Sequence, residues 1–171
     1  MKRNLRLAMS IAALAVAPAV FGQSTDTTQT TLSVTYGPEA QFTAGTTATT
    51  LLTKVGTKFE SFSGTTDFTY KIRTSQNTGV GSITVQVTDF SAGGPVLTDL
   101  TYSCTAPAPG TACNAGTAVS NSAGTSVVGF AADAHSADGG DAGTTTWTLV
   151  DRTTIKTGTY TSTATYTISA S

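Results

Sequence analysis

The residues that could perform acid–base chemistry are few and scattered in this sequence. His135 is the one histidine, so a Ser-His-Asp triad would have to be built around it; it stands in the acidic, glycine-rich segment 133–143. The motifs that position a nucleophile, a phosphate or a catalytic zinc ion (G-x-S-x-G, the P-loop and H-E-x-x-H) do not occur. Glu39 and Glu60 are candidates for the carboxylate pair of a glycosidase, but neither has a polar cluster beside it. We therefore expect a protein that is not an enzyme.

The one candidate metal site consists of three aspartates in the same segment, Asp133, Asp138 and Asp141. Clustered carboxylates on a glycine-rich loop can wrap a hard cation such as Ca²⁺ with oxygen ligands. Their spacing matches no EF-hand loop, and acidic, glycine-rich segments are more often solvated turns. We therefore expect a solvated turn and no cofactor; the alternative is calcium at these aspartates or, less favoured, zinc.

Cys104 and Cys113 are the only cysteines. An even number of cysteines in an exported protein favours a disulfide, and Pro107, Pro109 and Gly110 predict a turn between the two. The spacing does not match a C-x-x-C redox motif, and no further metal ligands accompany the pair. We expect a disulfide that closes this loop and stabilises the fold by roughly 2–3 kcal/mol.

The N-terminal residues have the parts of a secretory signal peptide. Bases at positions 2, 3 and 6 precede an apolar run at 7–16, which is too short to cross a bilayer as a helix. Small residues then offer a cut after Ala19 or, as we favour, after Gly22. We predict a signal peptide at 1–22, a flexible mature N-terminus at 23–29, and export to the periplasm, the cell surface or the medium. An uncleaved anchor is the alternative.

Charge is sparse and gives no sign of a nucleic-acid partner. Charged residues make up 11% of the chain, against about a quarter in an average globular protein. Cleavage after Gly22 would leave six basic and ten acidic residues. The six bases form no run and have no aromatic residues interleaved, which argues against nucleic-acid binding. No later stretch is long and apolar enough for a membrane-spanning helix.

The rest of the sequence has the pattern of short strands. The chain contains 38 Thr and 16 Ser, and β-branched Thr suits pleated sheets. Several short runs alternate or are apolar, and turn residues separate them. They are 31–36, 68–73, 82–89, 100–104, 126–131, 145–150 and 158–171, with a further candidate at 51–55 and a loop or irregular edge at 40–50. We predict an all-β fold at 30–171, a single antiparallel β-sandwich of immunoglobulin-like type with seven to nine strands.

The spacing of these runs predicts two strand pairs. Runs 68–73 and 82–89 flank a short turn rich in Gly and Asn, which is typical of a β-hairpin. The C-terminal run 158–171 is expected beside the run that contains Trp147. Since Trp147 alternates with Thr, a core position is favoured; the alternative is a carbohydrate platform formed with Tyr160 and Tyr166.

The C-terminal run carries a family resemblance. Gly158-Thr159-Tyr160 leads into an alternating strand with one apolar and one hydroxyl face. The apolar face consists of Tyr160, Ala164, Tyr166 and Ile168. This ending resembles the last strand of secreted bacterial pilin-like and spore-coat-U-type subunits. The resemblance implies a structural or adhesive cell-surface subunit.

The same resemblance implies assembly with further copies, or with other surface subunits, by strand addition. An extended N-terminal segment of one subunit would complete the sheet of a neighbour. The donor would be residues 28–36, with Leu32, Val34 and Tyr36 as the pocket-filling residues. Two alternatives stay open: the strand can fold into its own domain, or the protein can be a stand-alone module that binds glycan or protein through loops such as 133–143.

Overall fold

A computed structural model describes residues 30–52 and 58–171 of the chain. The predicted signal peptide (1–22) and mature N-terminus (23–29) lie outside these ranges. Residues 35–171 form one compact unit, which contains every strand described below. Within the described ranges, no helix is long and apolar enough to cross a membrane.

The described residues form nine strands and one 3₁₀ turn, the turn lying at Leu97–Asp99. The strands are β1 (Glu39–Ala44), β2 (Phe62–Arg73), β3 (Gly81–Val87), β4 (Leu100–Thr105), β5 (Thr111–Ala112), β6 (Thr117–Ala118), β7 (Thr125–Phe130), β8 (Asp141–Leu149) and β9 (Ala164–Ala170). They make two sheets, the first in the order β1-β2-β8-β4-β6 and the second in the order β5-β7-β3-β9. Every strand pair is antiparallel. The predicted all-β fold of two antiparallel sheets is confirmed, and an immunoglobulin-like strand order stays a prediction.

The core lies between the two sheets and follows the alternation of the sequence. In β2 the side chains of Phe68, Tyr70 and Ile72 are buried while Asp67 and Lys71 are exposed, because neighbouring residues of a strand point to opposite faces. The remaining large buried side chains come from the other central strands. They are Ile83, Val85, Val87, Leu100, Tyr102, Val127, Val128, Phe130, Trp147 and Leu149.

Both predicted strand pairs are wrong. Strands β2 and β3 lie in different sheets: β2 pairs with β1 and β8, and β3 pairs with β7 and β9. The C-terminal strand β9 pairs with β3 instead of the Trp147 strand. Alternation specifies which face of a strand is apolar and packs against the opposite sheet, but it does not specify which strands are its hydrogen-bonded neighbours. The segment 74–80 is long enough to cross the roughly 10 Å between two sheets.

The N-terminal part of the domain also differs from prediction. Residues 31–36 form no strand, and the first strand is β1, which falls in the stretch predicted as a loop or irregular edge. In β1, Ala40 and Phe42 pack against the core, and the Phe42 ring stacks on Phe68 at 5.4 Å. Small Ala and Thr side chains hide this alternation in the sequence. Of the predicted strand at 51–55, Leu52 makes a single bridge to Ser63, and 53–57 lie outside the described residues.

An ion pair closes one end of the first sheet. Asp99, in the 3₁₀ turn before β4, is only 5% exposed. Arg152, just after β8, donates two hydrogen bonds to it, from Nη2 to Oδ1 (2.6 Å) and from Nε to Oδ2 (3.0 Å). The main-chain carbonyl of Asp99 accepts a further bond from the Val150 amide. The pair therefore ties the entry of β4 to the exit of β8.

We expect this ion pair to make stability depend on acid pH. The hydrogen bonds from Arg152 hold the pKa of Asp99 below its usual value; burial opposes this effect and the guanidinium charge adds to it. A carboxyl with a depressed pKa in the folded state stabilises the fold above its unfolded pKa, which is about 3.9. That contribution is lost as the pH falls through the lower folded pKa.

The measurement is the melting temperature from pH 7 to pH 2.5. At pH 7, Asp99→Asn should have a lower melting temperature than the unsubstituted protein. This difference in melting temperature, the gap, should disappear below about pH 4. Asp138→Asn, which neutralises an exposed carboxylate, serves as the matched control and should leave no such gap. A gap that persists unchanged to pH 2.5 would contradict the assigned role of Asp99.

Candidate functional site

The acidic segment 133–143 is tied firmly to the end of β2. Thr74 exchanges two bonds with Ala134: its amide donates to the Ala134 carbonyl (3.0 Å), and its hydroxyl accepts from the Ala134 amide (2.9 Å). The amides of Asp133 and Ser136 donate to the carbonyls of Ser75 and Ile72. Ala134 is buried as a result. Residues 133–136 are thus docked on the end of β2 in a defined conformation, whereas residues 141–143, predicted as part of the same loop, are the start of β8.

The three aspartates of the calcium hypothesis do not form a ligand group in this loop. Across residues 30–52 and 58–171, no three His, Cys, Asp or Glu side chains gather in a way that could hold a metal ion. Asp133 has a left-handed backbone (φ 58°), and Asp141 begins β8 opposite Tyr70. Burial, with the charge of Asp141 adding to it, raises the pKa of Tyr70 to about 12. Calcium at Asp133, Asp138 and Asp141 stays an untested prediction.

The other candidate catalytic residues are far apart or exposed. The His135 side chain is exposed, with Nδ1 lying 3.0 Å from the Asp133 carbonyl. Glu39 pairs with Arg73 at the end of β2, whereas Glu60 lies just before its start. A strand of 12 residues spans about 40 Å, while the carboxyls of a glycosidase pair lie about 5–10 Å apart. Glu39 and Glu60 therefore do not form such a pair.

Trp147 is buried and Tyr166 is half-buried against the core, so the two do not form an exposed carbohydrate platform. Trp147 is 4% exposed, donates from Nε1 to the Thr66 hydroxyl (2.8 Å) and packs against Tyr102, so the predicted core position is confirmed. The Tyr166 ring stacks on Phe42 at 5.2 Å. Burial raises the pKa of the Tyr166 hydroxyl.

The predicted disulfide between Cys104 and Cys113 is confirmed. Cys104 lies in β4 of the first sheet, and Cys113 follows β5 of the second. The bond therefore joins the two sheets as well as closing a loop. Within the loop, the Pro107 carbonyl accepts a hydrogen bond from the Tyr70 hydroxyl (3.2 Å).

The predicted strand-exchange residues divide into two groups. Leu32 and Val34 are 92% and 73% exposed, and they lie in residues 30–35, which we call the N-terminal arm and which form no strand. Tyr36 is also exposed, but its ring lies 4.9 Å from the Arg73 guanidinium carbon.

Arg73 fixes the residues that follow the arm. In addition to its contact with Tyr36, Arg73 donates from Nε to the Gly37 carbonyl (2.8 Å) and from Nη2 to the Glu39 carboxylate (3.1 Å). A guanidinium with several donors in a fixed plane suits such multiple contacts. We call this end of the sandwich, where β2 ends and β3 begins, the arm end.

Strand β9 presents the longest edge among the described residues. It is the last strand of the second sheet and has seven residues, against six in β1 and two each in β5 and β6. The stretch 157–171 carries no charged side chain. Natural sheets commonly protect such edges with Lys, Pro or bulges. β9 has no Lys or Pro.

The bonds at the two ends of β9 show which backbone groups face its outer edge. The Thr163 carbonyl accepts from the Thr88 amide, and the Ser171 amide donates to the Val80 carbonyl, both at 2.9 Å. Odd-numbered residues therefore bond to β3, and even-numbered residues direct their N–H and C=O groups outward. The outward set is Ala164, Tyr166, Ile168 and Ala170.

Comparison with protein-family models, with curated proteins and with solved structures found no match for this chain. The fold itself defines the class: an all-β domain of two antiparallel sheets joined by one disulfide. The features of this domain that sequence reasoning missed are the Arg73 contacts and the backbone groups of the β9 edge. Neither feature has a sequence motif, because each depends on which strands become neighbours in the fold.

Proposed function

We propose that this protein is an exported structural subunit of a cell-surface assembly, in which the N-terminal arm of one copy adds to the β9 edge of the next. The proposal is carried by the exposed Leu32 and Val34 of the arm, considered with the uncharged edge of β9. The disulfide supports an oxidising compartment outside the cytoplasm. The signal-peptide pattern of the sequence supports export.

Strand addition suits the chemistry of both partners. Main-chain hydrogen bonds to an open edge supply affinity, and alternate side chains supply specificity. In a strand added beside β9, every second side chain would point to the same side of the sheet as Tyr166 and Ile168. Leu32 and Val34 share a parity, so both can face that apolar side while Ser33 and Thr35 face water.

The test is a pair of matched double variants in the arm. Leu32→Asp/Val34→Asp replaces the two apolar side chains that would face the core side of the sheet. Ser33→Asp/Thr35→Asp adds the same charge on the opposite face of the added strand. Burial of two such side chains is worth about 3 kcal/mol or more, so we expect the first variant to associate at least ~100-fold more weakly. The second variant should keep most of its association. Multimers are measured by size-exclusion chromatography with light scattering and by electron microscopy of concentrated protein.

A mixing experiment identifies the acceptor edge. Thr165→Lys/Thr167→Lys places charges on the exposed face of β9, where lysine discourages strand pairing. Each double variant alone should be monomeric, and an equimolar mixture with Leu32→Asp/Val34→Asp should form a one-to-one dimer from one intact arm and one intact edge. The proposal fails if the unsubstituted protein is monomeric at every concentration, or if it forms multimers while the mixture does not dimerise.

A further inference from the structure

A cleft of about 510 Å³ lies at the end of the sandwich opposite the arm end, where β3 finishes. Two chain segments form it, one following β3 and one following β6. Its lining residues are Asp89, Phe90, Pro95, Val96, Leu97, Thr98, Val119, Ser120 and Asn121. A volume of this size lies within the range of small-molecule sites, which are mostly apolar with a few placed polar groups.

The apolar wall of the cleft is anchored to the core. Phe90, Leu97 and Val119 are half-buried and pack against the core cluster, whereas Val96 is 59% exposed. Pro95 lies between these groups in sequence and has a rigid backbone. The wall therefore has a defined position and still offers apolar surface to solvent.

The polar side of the cleft is an aspartate and an asparagine held together. The Asn121 side-chain amide donates from Nδ2 to Asp89 Oδ1 at 3.0 Å. The Asn121 carbonyl accepts from the Gln86 side chain (2.7 Å), and the Ser120 carbonyl accepts from the Val87 amide (3.0 Å). These bonds fix the segment after β6 against the end of β3. The polar pair is thus positioned before any ligand arrives.

The composition of the cleft selects the class of ligand. Asp89 offers only acceptor atoms, while Asn121 offers an amide donor and an acceptor, so the pair matches hydroxyl groups, which both donate and accept. An organic cation would not use the amide donor, and an anion would meet the charge of Asp89 with no basic residue in the lining. A purely apolar group would cover the polar pair without bonding to it, which costs the free energy of desolvating those polar atoms.

We propose that this cleft binds an uncharged sugar ring. The C–H face of the ring packs on the wall formed by Phe90, Pro95 and Val96, and neighbouring hydroxyls bond to Asp89 and Asn121. None of the residues that line the cleft belongs to the arm or to β9, although β9 begins beside the end of β3 where the cleft lies. The existence of the site does not depend on whether copies of the protein associate.

The test measures binding of neutral monosaccharides and disaccharides to the purified protein by calorimetry and saturation-transfer NMR. The panel contains glucose, galactose, mannose, fucose, N-acetylglucosamine and their common disaccharides, with glucuronate as an anionic probe. We expect at least one neutral sugar to bind, and Asp89→Ala and Asn121→Ala each to raise its Kd about tenfold or more. Glucuronate should bind more weakly than glucose.

Matched controls distinguish an effect on sugar binding at the cleft from an effect on the stability of the fold. Asp138→Asn and Asn114→Ala alter the same residue types at exposed positions outside the cleft and should leave the Kd unchanged. Asp89 and Asn121 are themselves exposed, so melting temperatures of their variants should stay within 2 °C or so of the unsubstituted protein. A panel with no binding at millimolar sugar overturns the proposal. So does sugar binding that both cleft variants leave intact.

Discussion

Trp147→Ala should lower the free energy of unfolding by about 3–5 kcal/mol, which is the usual cost of removing a large aromatic side chain from a core. Trp147 is 4% exposed, and its ring packs against Tyr102 at 5.5 Å between ring centres. It is the seventh of the nine residues of β8 and is paired with Gly64 of β2 on one side and with Tyr102 of β4 on the other. A cavity at this position weakens the centre of the first sheet, and the total stability of a domain is only about 5–15 kcal/mol.

Trp147→Phe distinguishes the contribution of ring packing to stability from that of the indole hydrogen bond. Phenylalanine keeps most of the apolar volume but loses the Nε1 donor to the Thr66 hydroxyl. That hydroxyl retains a contact with the Thr49 hydroxyl at 2.7 Å, so we expect a loss of about 1–2 kcal/mol. Val150→Ala, one residue beyond β8 and 41% exposed in the parent, is the control and should cost about 0.5 kcal/mol or less.

Equilibrium unfolding in guanidinium chloride, followed by circular dichroism, measures these differences. Trp147 is the only tryptophan, so fluorescence follows the unsubstituted protein and serves as a second probe of its two-state behaviour. A loss below about 1 kcal/mol for Trp147→Ala would contradict a central packing role. A loss for Trp147→Phe equal to that for Trp147→Ala would assign the effect to the hydrogen bond instead of the ring.

The strands were predictable where side-chain type and alternation act together. Phe68, Tyr70 and Ile72 alternate with polar residues and are buried, and the apolar run that includes Val127 and Val128 is a buried strand. These signals are local, since they depend only on which face of a strand must leave water. The same holds for the disulfide, whose cysteines lie nine positions apart around a turn.

Strand neighbours were not predictable, for a physical reason. A strand with one apolar face buries a similar area beside any of several neighbouring strands. The choice of neighbour therefore depends on the packing of the whole sandwich. The pairing of β9 with β3 illustrates this, as does the distance along the chain between Arg73 and the residues it fixes at 36–39. The cleft combines two segments about thirty residues apart, and the Asp89–Asn121 bond exists only because β3 and β6 end near each other.

Removal of the Cys104–Cys113 bond should cost roughly 2–3 kcal/mol by the loss of loop closure in the unfolded chain. The expected result for Cys104→Ala/Cys113→Ala is a lower denaturation midpoint, with a slope that rises slightly because the unfolded chain loses a cross-link. The unsubstituted protein in dithiothreitol should approach the same midpoint. The double variant should not respond to dithiothreitol, which controls for other effects of the reductant.

The position of the disulfide predicts where this loss begins. β5 has two residues, Thr111 and Ala112, and pairs only with β7 among the described strands. The Cys113 amide donates to the Val127 carbonyl at 3.0 Å, and the disulfide attaches this short edge to the first sheet. Reduction should therefore release β5 first, while the long β2–β8 pair keeps its backbone bonds.

Hydrogen exchange distinguishes this local opening from global unfolding. Amide protection on β5 and at Cys113 should fall on reduction, with protection of the β2–β8 pair falling only by as much as the global stability does. Equal losses in both places would mean that the bond acts through the unfolded chain alone. A midpoint that dithiothreitol leaves unchanged would contradict a stabilising role for the disulfide, because both the loop-closure argument and the sheet-joining geometry require a loss.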